Sequence, residues 1–182
     1  MRAAKIRTLF FSAVMLGAGA LGGSLAAAQG KAEAPLRQST AAQIDFDGFS
    51  ALTGEVNSYR SDRLVDLAEF QRMAREGDTL ILDARSAEAF AAGHIDGAIN
   101  LSFPDFTAES LARAIGDPGR RILIYCNNNF ENDRPPVVMK RIELALNIQT
   151  FINLYGYGYR NVYELGDVVN FDDPAVRWVR GS

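Results

Sequence analysis

Few side chains in this sequence are equipped for covalent chemistry: one cysteine, Cys126, and one histidine, His94, in 182 residues. A single cysteine forms no internal disulfide, and the two residues together fall short of the four ligands of a structural zinc site. A Cys–His pair of the protease type requires hydrogen-bond contact. Cys126 ends the apolar run Ile122 to Tyr125, whereas His94 lies in the turn before the run Ala98 to Leu101. If both runs are parallel strands, the two residues sit at opposite edges of a sheet, roughly 17–20 Å apart. That excludes a Cys126–His94 dyad and leaves His94 as a turn residue satisfied by backbone. Asp83 and Arg85 follow a strand and share the Cys126 edge, where open parallel sheets gather their ligand sites.

Around Cys126 the sequence predicts a strand, a polar loop from Asn127 to Arg134, and a helix whose first turn holds Pro135 and Pro136. Backbone N–H groups of such a loop, with a helix N-terminus behind them, converge on an anion. They would lower the thiol below its ordinary pKa of roughly 8.5 and could hold a persulfide or an attacking anion. The competing reading is an apolar, buried thiol that ends a strand. These residues alone leave the choice open.

The elements that must position these residues follow from periodicity. Leu64-Val65, Thr79 to Leu82, Ala98 to Leu101, Ile122 to Tyr125 and Val162 to Leu165 read as five short strands. Helices alternate with them: from Asp66, with Glu69 completing a capping box; from Ser86 to Ala92; from Thr107 to Ile115; and within Ile148 to Tyr159. Val138, Ile142, Ala145 and Leu146 would line one face of the helix begun by Pro135. The expected fold class is α/β, a three-layer α/β/α arrangement around a five-stranded parallel sheet. Tyr155, Tyr157 and Tyr159 are expected to pack a helix end, and Phe171 and Trp178 to pack rather than bind.

The first 28 residues carry Arg2, Lys5 and Arg7, then an uncharged stretch from Thr8 to Ala28 ending in three alanines. That is the order of a secretory signal peptide cleaved near Ala28. The expected organisation is residues 1–28 as signal, 29–54 as tether and irregular lead-in with Phe46 and Phe49 docking on the domain, and 55–182 as one domain. Cleavage would remove three of the 19 basic residues and leave 16 against 22 acidic, a balance of −6 rather than −3. An acidic exported domain is a poor partner for nucleic acid and keeps no stable membrane insertion. The expected location is the bacterial periplasm, an oxidising compartment.

Leu82-Asp83-Ala84-Arg85, Glu88-Ala89-Phe90 and Gly93-His94-Ile95-Asp96-Gly97-Ala98-Ile99-Asn100-Leu101 resemble the rhodanese family in order and spacing. The resemblance continues through Ile122 to Cys126 and Gly158 to Leu165, and exported single-domain members are the most similar in layout. It implies sulfur transfer: Cys126 as catalytic nucleophile and persulfide carrier, with Asn127, Asn128, Asn129, Phe130 and Glu131 around the sulfur. Arg85 would help to hold an anion, or else tie loops together with Asp83. It implies a small sulfur donor and a thiol or cyanide acceptor as partners, with a protein partner as an alternative, and no cofactor or metal. Two departures count against thiosulfate as the donor: Ala89 stands where some members carry a basic contact, and the loop 127–132 has no Arg or Lys. Arg134 lies two residues late for the Cys-x5-Arg loop of the related phosphatases. A non-catalytic binding module and a periplasmic thiol redox sensor remain the alternative functions.

Overall fold

The computed structural model describes residues 42–180. The expected signal segment and residues 29–41 of the expected tether lie outside the described residues. In chain order the elements are α1 (Phe46–Ser61), β1 (Leu64–Val65), α2 (Leu67–Ala74), β2 (Thr79–Asp83), α3 (Ala87–Ala92), β3 (His94–Ile95), β4 (Ala98–Asn100), α4 (Ala108–Ile115), β5 (Arg121–Tyr125), α5 (Leu146–Gly156), β6 (Val162–Leu165) and β7 (Trp178–Val179).

Five strands form one parallel sheet in the order β1-β6-β5-β2-β4. Side chains alternate across a strand, and here both faces are apolar. Leu80, Leu82, Ile122, Ile124 and Val162 join Val56 of α1, Leu111 and Ile115 of α4, and Phe151 and Leu154 of α5 in one core. Ile81, Leu123, Tyr125 and Leu165 join Phe70 and Met73 of α2 and Ile95 of β3 in the other. The fold is therefore the three-layer α/β/α arrangement expected from the apolar runs. The helix starts also follow local signals. Asp66 Oδ1 accepts from Glu69 N at 2.8 Å, Ser86 Oγ from Ala89 N at 3.2 Å and Thr107 Oγ1 from Ser110 N at 3.1 Å. Glu69 does not close the expected capping box; its carboxylate pairs with Arg72 at 2.6 Å.

Three local expectations differ from the structure. First, residues 46–54 are not an irregular lead-in but the start of α1, capped by Asp45, whose Oδ1 accepts from Gly48 N at 2.7 Å. Leu52, Val56 and Tyr59, spaced four and three apart, form its packed face. Tyr59 meets Tyr155 of α5 at 5.0 Å between ring centroids. Phe46 and Phe49 both stay exposed. Second, no helix starts at Pro135. Asn127 Nδ2 and Asn128 Nδ2 donate to the carbonyls of Val138 and Lys140, Lys140 N donates to Asn128 Oδ1, and Met139 N donates to Asp133 Oδ1. Side chains thus capture the backbone groups that a helix there would use among themselves. Third, His94 does not sit in a turn; it opens β3, which pairs antiparallel with β7 in a separate two-stranded sheet. Its Nδ1 donates to the Phe90 carbonyl at 2.9 Å, and its ring stacks on Phe90, so backbone satisfies it as expected. The tyrosines at the end of α5 agree in the main with the packing expected of them: Tyr155 and Tyr159 are buried in the core, and Tyr157 alone of the three is exposed.

Candidate functional site

β5 delivers Cys126 to the carboxyl edge of the sheet, beside β2 and β6. A short 3-10 turn, Asn127–Asn129, follows at once. Cys126 is 2% exposed, and it lines a pocket of about 260 Å³ together with Asn128, Asn129, Asn147, Arg60 and Glu164. Leu64, Ile142 and Val168, all exposed, form part of its apolar rim.

Three backbone N–H groups act on the thiol: those of Asn147, Asn128 and Leu146. The cradle is thus built from two pieces of chain. One donor comes from the loop after Cys126, and two come from the first turn of α5. The helix end expected at Pro135 is present, but it begins at Leu146. Of the two readings the sequence left open, the net shift of the thiol pKa follows the buried one. Burial is the largest influence and pushes it up; the three N–H groups pull it down, and the neighbouring Glu164 carboxylate pushes it further up. Desolvation of a thiolate outweighs three amide dipoles here. Alkylation of Cys126 by iodoacetamide is accordingly expected to be slow at neutral pH and to inflect above the ordinary thiol range. An inflection below that range would contradict the burial argument.

The other loop residues have different tasks from those expected. Asn129 is buried and acts as a joint. Its Oδ1 accepts from Cys126 N at 2.9 Å and from Asn147 Nδ2 at 3.1 Å, and its Nδ2 donates to the carbonyls of Leu165 and Asp167. Its own N–H is taken by the Cys126 carbonyl. Phe130 does not face a substrate: it is fully buried between Tyr125, Phe171 and Trp178, and its N–H goes to Asn127 O. Glu131 is also outside the cradle, with its N–H on Val169 O and its carboxylate receiving Asn170 Nδ2 at 2.9 Å. Asn127 uses its side chain to hold Val138.

Arg85 is a tie and not an anion contact. Its side chain is 2% exposed, and its guanidinium grips the fully buried Asp83 at 2.6 Å. Further donors reach the carbonyls of Gly93 at 2.7 Å and Pro136 at 3.3 Å. Tyr125 donates its hydroxyl to Asp83 Oδ2 at 2.5 Å and accepts from Ile95 N. Burial and then Asp83 raise the Tyr125 pKa well above its ordinary value, which keeps that hydroxyl a donor.

Three pocket residues had no place in the sequence reading: Arg60, Asn147 and Glu164. Arg60, in the last turn of α1, makes a two-pronged ion pair with the buried Glu164 of β6, at 2.5 and 2.8 Å. Asn147 Nδ2 also donates to Glu164, at 3.1 Å. The available signal was Glu164 itself, a carboxylate inside the apolar strand Val162-Tyr163-Glu164-Leu165, which demands a partner. Among the described residues, no group of three or more His, Cys, Asp or Glu is placed to hold a metal ion.

Comparison with known proteins adds the family. Over 63 residues the chain is 38% identical to the HTH-type transcriptional regulator Rv0324 of Mycobacterium tuberculosis. That match takes in 35% of this chain and 26% of the regulator, so the chain spans about a quarter of that relative. The BH2092 protein from Bacillus halodurans has a solved structure that is 18% identical, with a TM-score of 0.44 over 64% of this chain and 73% of that one. The Rhodanese_3-like domain of the Alr3790 protein from Anabaena is 19% identical, with a TM-score of 0.40 over 57% of this chain and 94% of that one. A family model for the rhodanese-like domain matches residues 66–167, from the cap of α2 to just past β6. With β5 ending at its cysteine between β2 and β6, the chain belongs to the rhodanese-like domain family.

Proposed function

We propose that this domain is a sulfurtransferase that carries sulfane sulfur as a persulfide on Cys126. The observation that carries this reading is the placement of Cys126 Sγ in a pocket, with N–H groups of Asn128, Leu146 and Asn147 acting on it. The Cys126 thiolate attacks the sulfane sulfur of a donor; the donor's remaining fragment leaves with the electron pair of the broken bond. The outer sulfur then passes to an acceptor thiolate or cyanide, and Cys126 returns as thiolate. A persulfide is more acidic than a thiol, so amide donors that do not overcome desolvation for the thiol favour the loaded anion more readily. The absence of cationic residues from the loop 127–132 and the spent guanidinium of Arg85 favour polysulfide or a persulfide over thiosulfate as donor. The order of residues 1–28 supports action after export, in the periplasm.

The test is intact-mass measurement after incubation with polysulfide. One added sulfur is expected, removable by cyanide or thiol and missing in Cys126→Ser. No adduct with polysulfide, thiosulfate or a small persulfide would refute the reading. The burial of Cys126 and its raised pKa support a second reading, a non-catalytic binding module, and that result would favour it.

A further inference from the structure

Three exposed aliphatic side chains from distant parts of the chain line the pocket that holds Cys126. Leu64 comes from β1, Ile142 from the short turn before α5, and Val168 from the segment after β6. Leu64 is 43% exposed, Ile142 75% and Val168 65%. Exposed aliphatic residues scattered singly are ordinary on a protein surface. These three share one opening with a buried, reactive sulfur. The apolar surface they leave in water is covered by whatever enters far enough to reach that sulfur. Ile148 and the buried Leu165 continue the apolar lining.

Most polar side chains of the same lining are already engaged. Arg60 spends both prongs of its guanidinium on Glu164. Asn129 is bonded at both ends of its amide, and Asn128 holds the backbone of Lys140 with both ends of its own. Asp167 receives the Leu67 N–H at 2.7 Å and adds a negative charge. Arg60 is the one cation among the lining residues, so an anionic body meets no uncommitted counter-charge. Beyond the amide N–H groups at the sulfur, the lining offers an uncharged substrate mainly apolar contact.

We propose that the thiol acceptor of this site carries an uncharged aliphatic body, and that Leu64, Ile142 and Val168 select it by covering that body while its thiolate reaches Cys126. The inference rests on the sulfur-transfer reading above. The acceptor thiolate attacks the outer sulfur of the Cys126 persulfide. A bond forms between the acceptor sulfur and the outer sulfur, and the bond from the outer sulfur to Sγ breaks with its electron pair on Sγ. The transferred sulfur keeps the proton it carried, and no net oxidation occurs.

Three thiols of equal size provide the test: 1-propanethiol, 2-mercaptoethanol and 2-aminoethanethiol, which differ only in the terminal methyl, hydroxyl or ammonium group. 1-Pentanethiol extends the first by two methylenes. Full-length protein is loaded with polysulfide and freed of excess donor. Discharge is then followed by intact mass at equal thiolate concentration, and each rate is divided by that of the same thiol with a small cysteine persulfide in solution. Propanethiol is expected to discharge sulfur about fivefold faster than its two polar counterparts. Pentanethiol is expected to gain about a further tenfold, because each fully buried methylene is worth roughly a factor of four. The double variant Ile142→Ser, Val168→Ser alters only exposed side chains and is expected to cut the ratio of pentanethiol to propanethiol rates to about two. Phe46→Ser, about 21 Å from Arg60 along α1, is expected to leave the ratio unchanged. Equal corrected rates, faster discharge to either polar thiol, or a ratio that survives the double variant would overturn the aliphatic assignment and leave sulfur transfer standing. A protein that takes up no sulfur overturns both. If the double variant does not fold, the native ordering alone decides.

Discussion

Arg85→Met is expected to destabilise the domain by about 3–5 kcal/mol, the cost of leaving a buried charge without its partner. Asp83 is fully buried, and Arg85 approaches it with three contacts, Nη2 at 2.6 Å and Nε at 3.0 and 3.1 Å. Methionine fills much of the volume but offers no donor, so Asp83 keeps only the Tyr125 hydroxyl and the Arg85 backbone N–H. The carbonyls of Gly93 and Pro136 lose their donors at the same time. For a folded unit of this size the midpoint should fall on the order of 10 °C, measured by thermal unfolding and by urea titration. A surface control, Arg113→Ala, breaks an exposed pair with Glu109 and is expected to change little. If Arg85→Met unfolded at the native midpoint but lost sulfur loading, Arg85 would be a substrate contact after all.

Glu164→Gln is expected to move Cys126 reactivity to lower pH, because it removes the nearby carboxylate that disfavours the thiolate. The Glu164 carboxylate raises the thiol pKa, and the Arg60 guanidinium also interacts with Cys126. The two charges are paired with each other, and at the sulfur the carboxylate's upward push adds to that of burial. Glutamine removes the negative member and keeps the shape, so the remaining cation favours the thiolate. The sign is fixed by this: losing a nearby anion lowers an acid's pKa, and the alkylation inflection shifts down. Burial still acts, so the value does not collapse to that of a thiolate paired with a cation. The measurement is the pH profile of alkylation for native protein and variant. An unchanged or higher inflection would show that Glu164 does not govern the sulfur.

The sheet was legible because each of its strands is a short apolar run with helix caps or turn residues close by, and those are local signals. Thr79 to Asp83 and Arg121 to Tyr125 are buried on both faces, so no alternation was needed to find them. The Asp83 strand pairs directly with the strand that ends before Cys126, in agreement with the sheet edge the two residues were expected to share. α1 was harder to read, because only Val56 in it is buried and the sequence around it is polar. Its packed face depends on α5, a partner roughly 90 residues away in the chain. The false helix at Pro135 had a sound local signal. It lost to side chains of Asn127 and Asn128, whose reach across the loop no periodicity reports. The same limit applies to the thiol. Counting nearby N–H donors predicted a lowered pKa, but the depth of burial that reverses the sign is a property of the folded site. Arg60, Asn147 and Glu164 meet only because α1, α5 and β6 converge there.

Asn129 joins Cys126, the first turn of α5 and the end of β6 through one amide group. In mechanical terms it is a rivet between three plates, and the long excursion of residues 130–145 leaves and returns on either side of it. The distance from sulfur to helix end is therefore set by a few short hydrogen bonds and not by the length of the excursion. Within that excursion Phe130 and Val137 belong to the core, whereas Arg141 to Leu144 are exposed, and changes there are expected to leave the sulfur in register with its donors. On the sulfur-transfer reading proposed above, contacts at the rim and chemistry at the sulfur would then be separately adjustable.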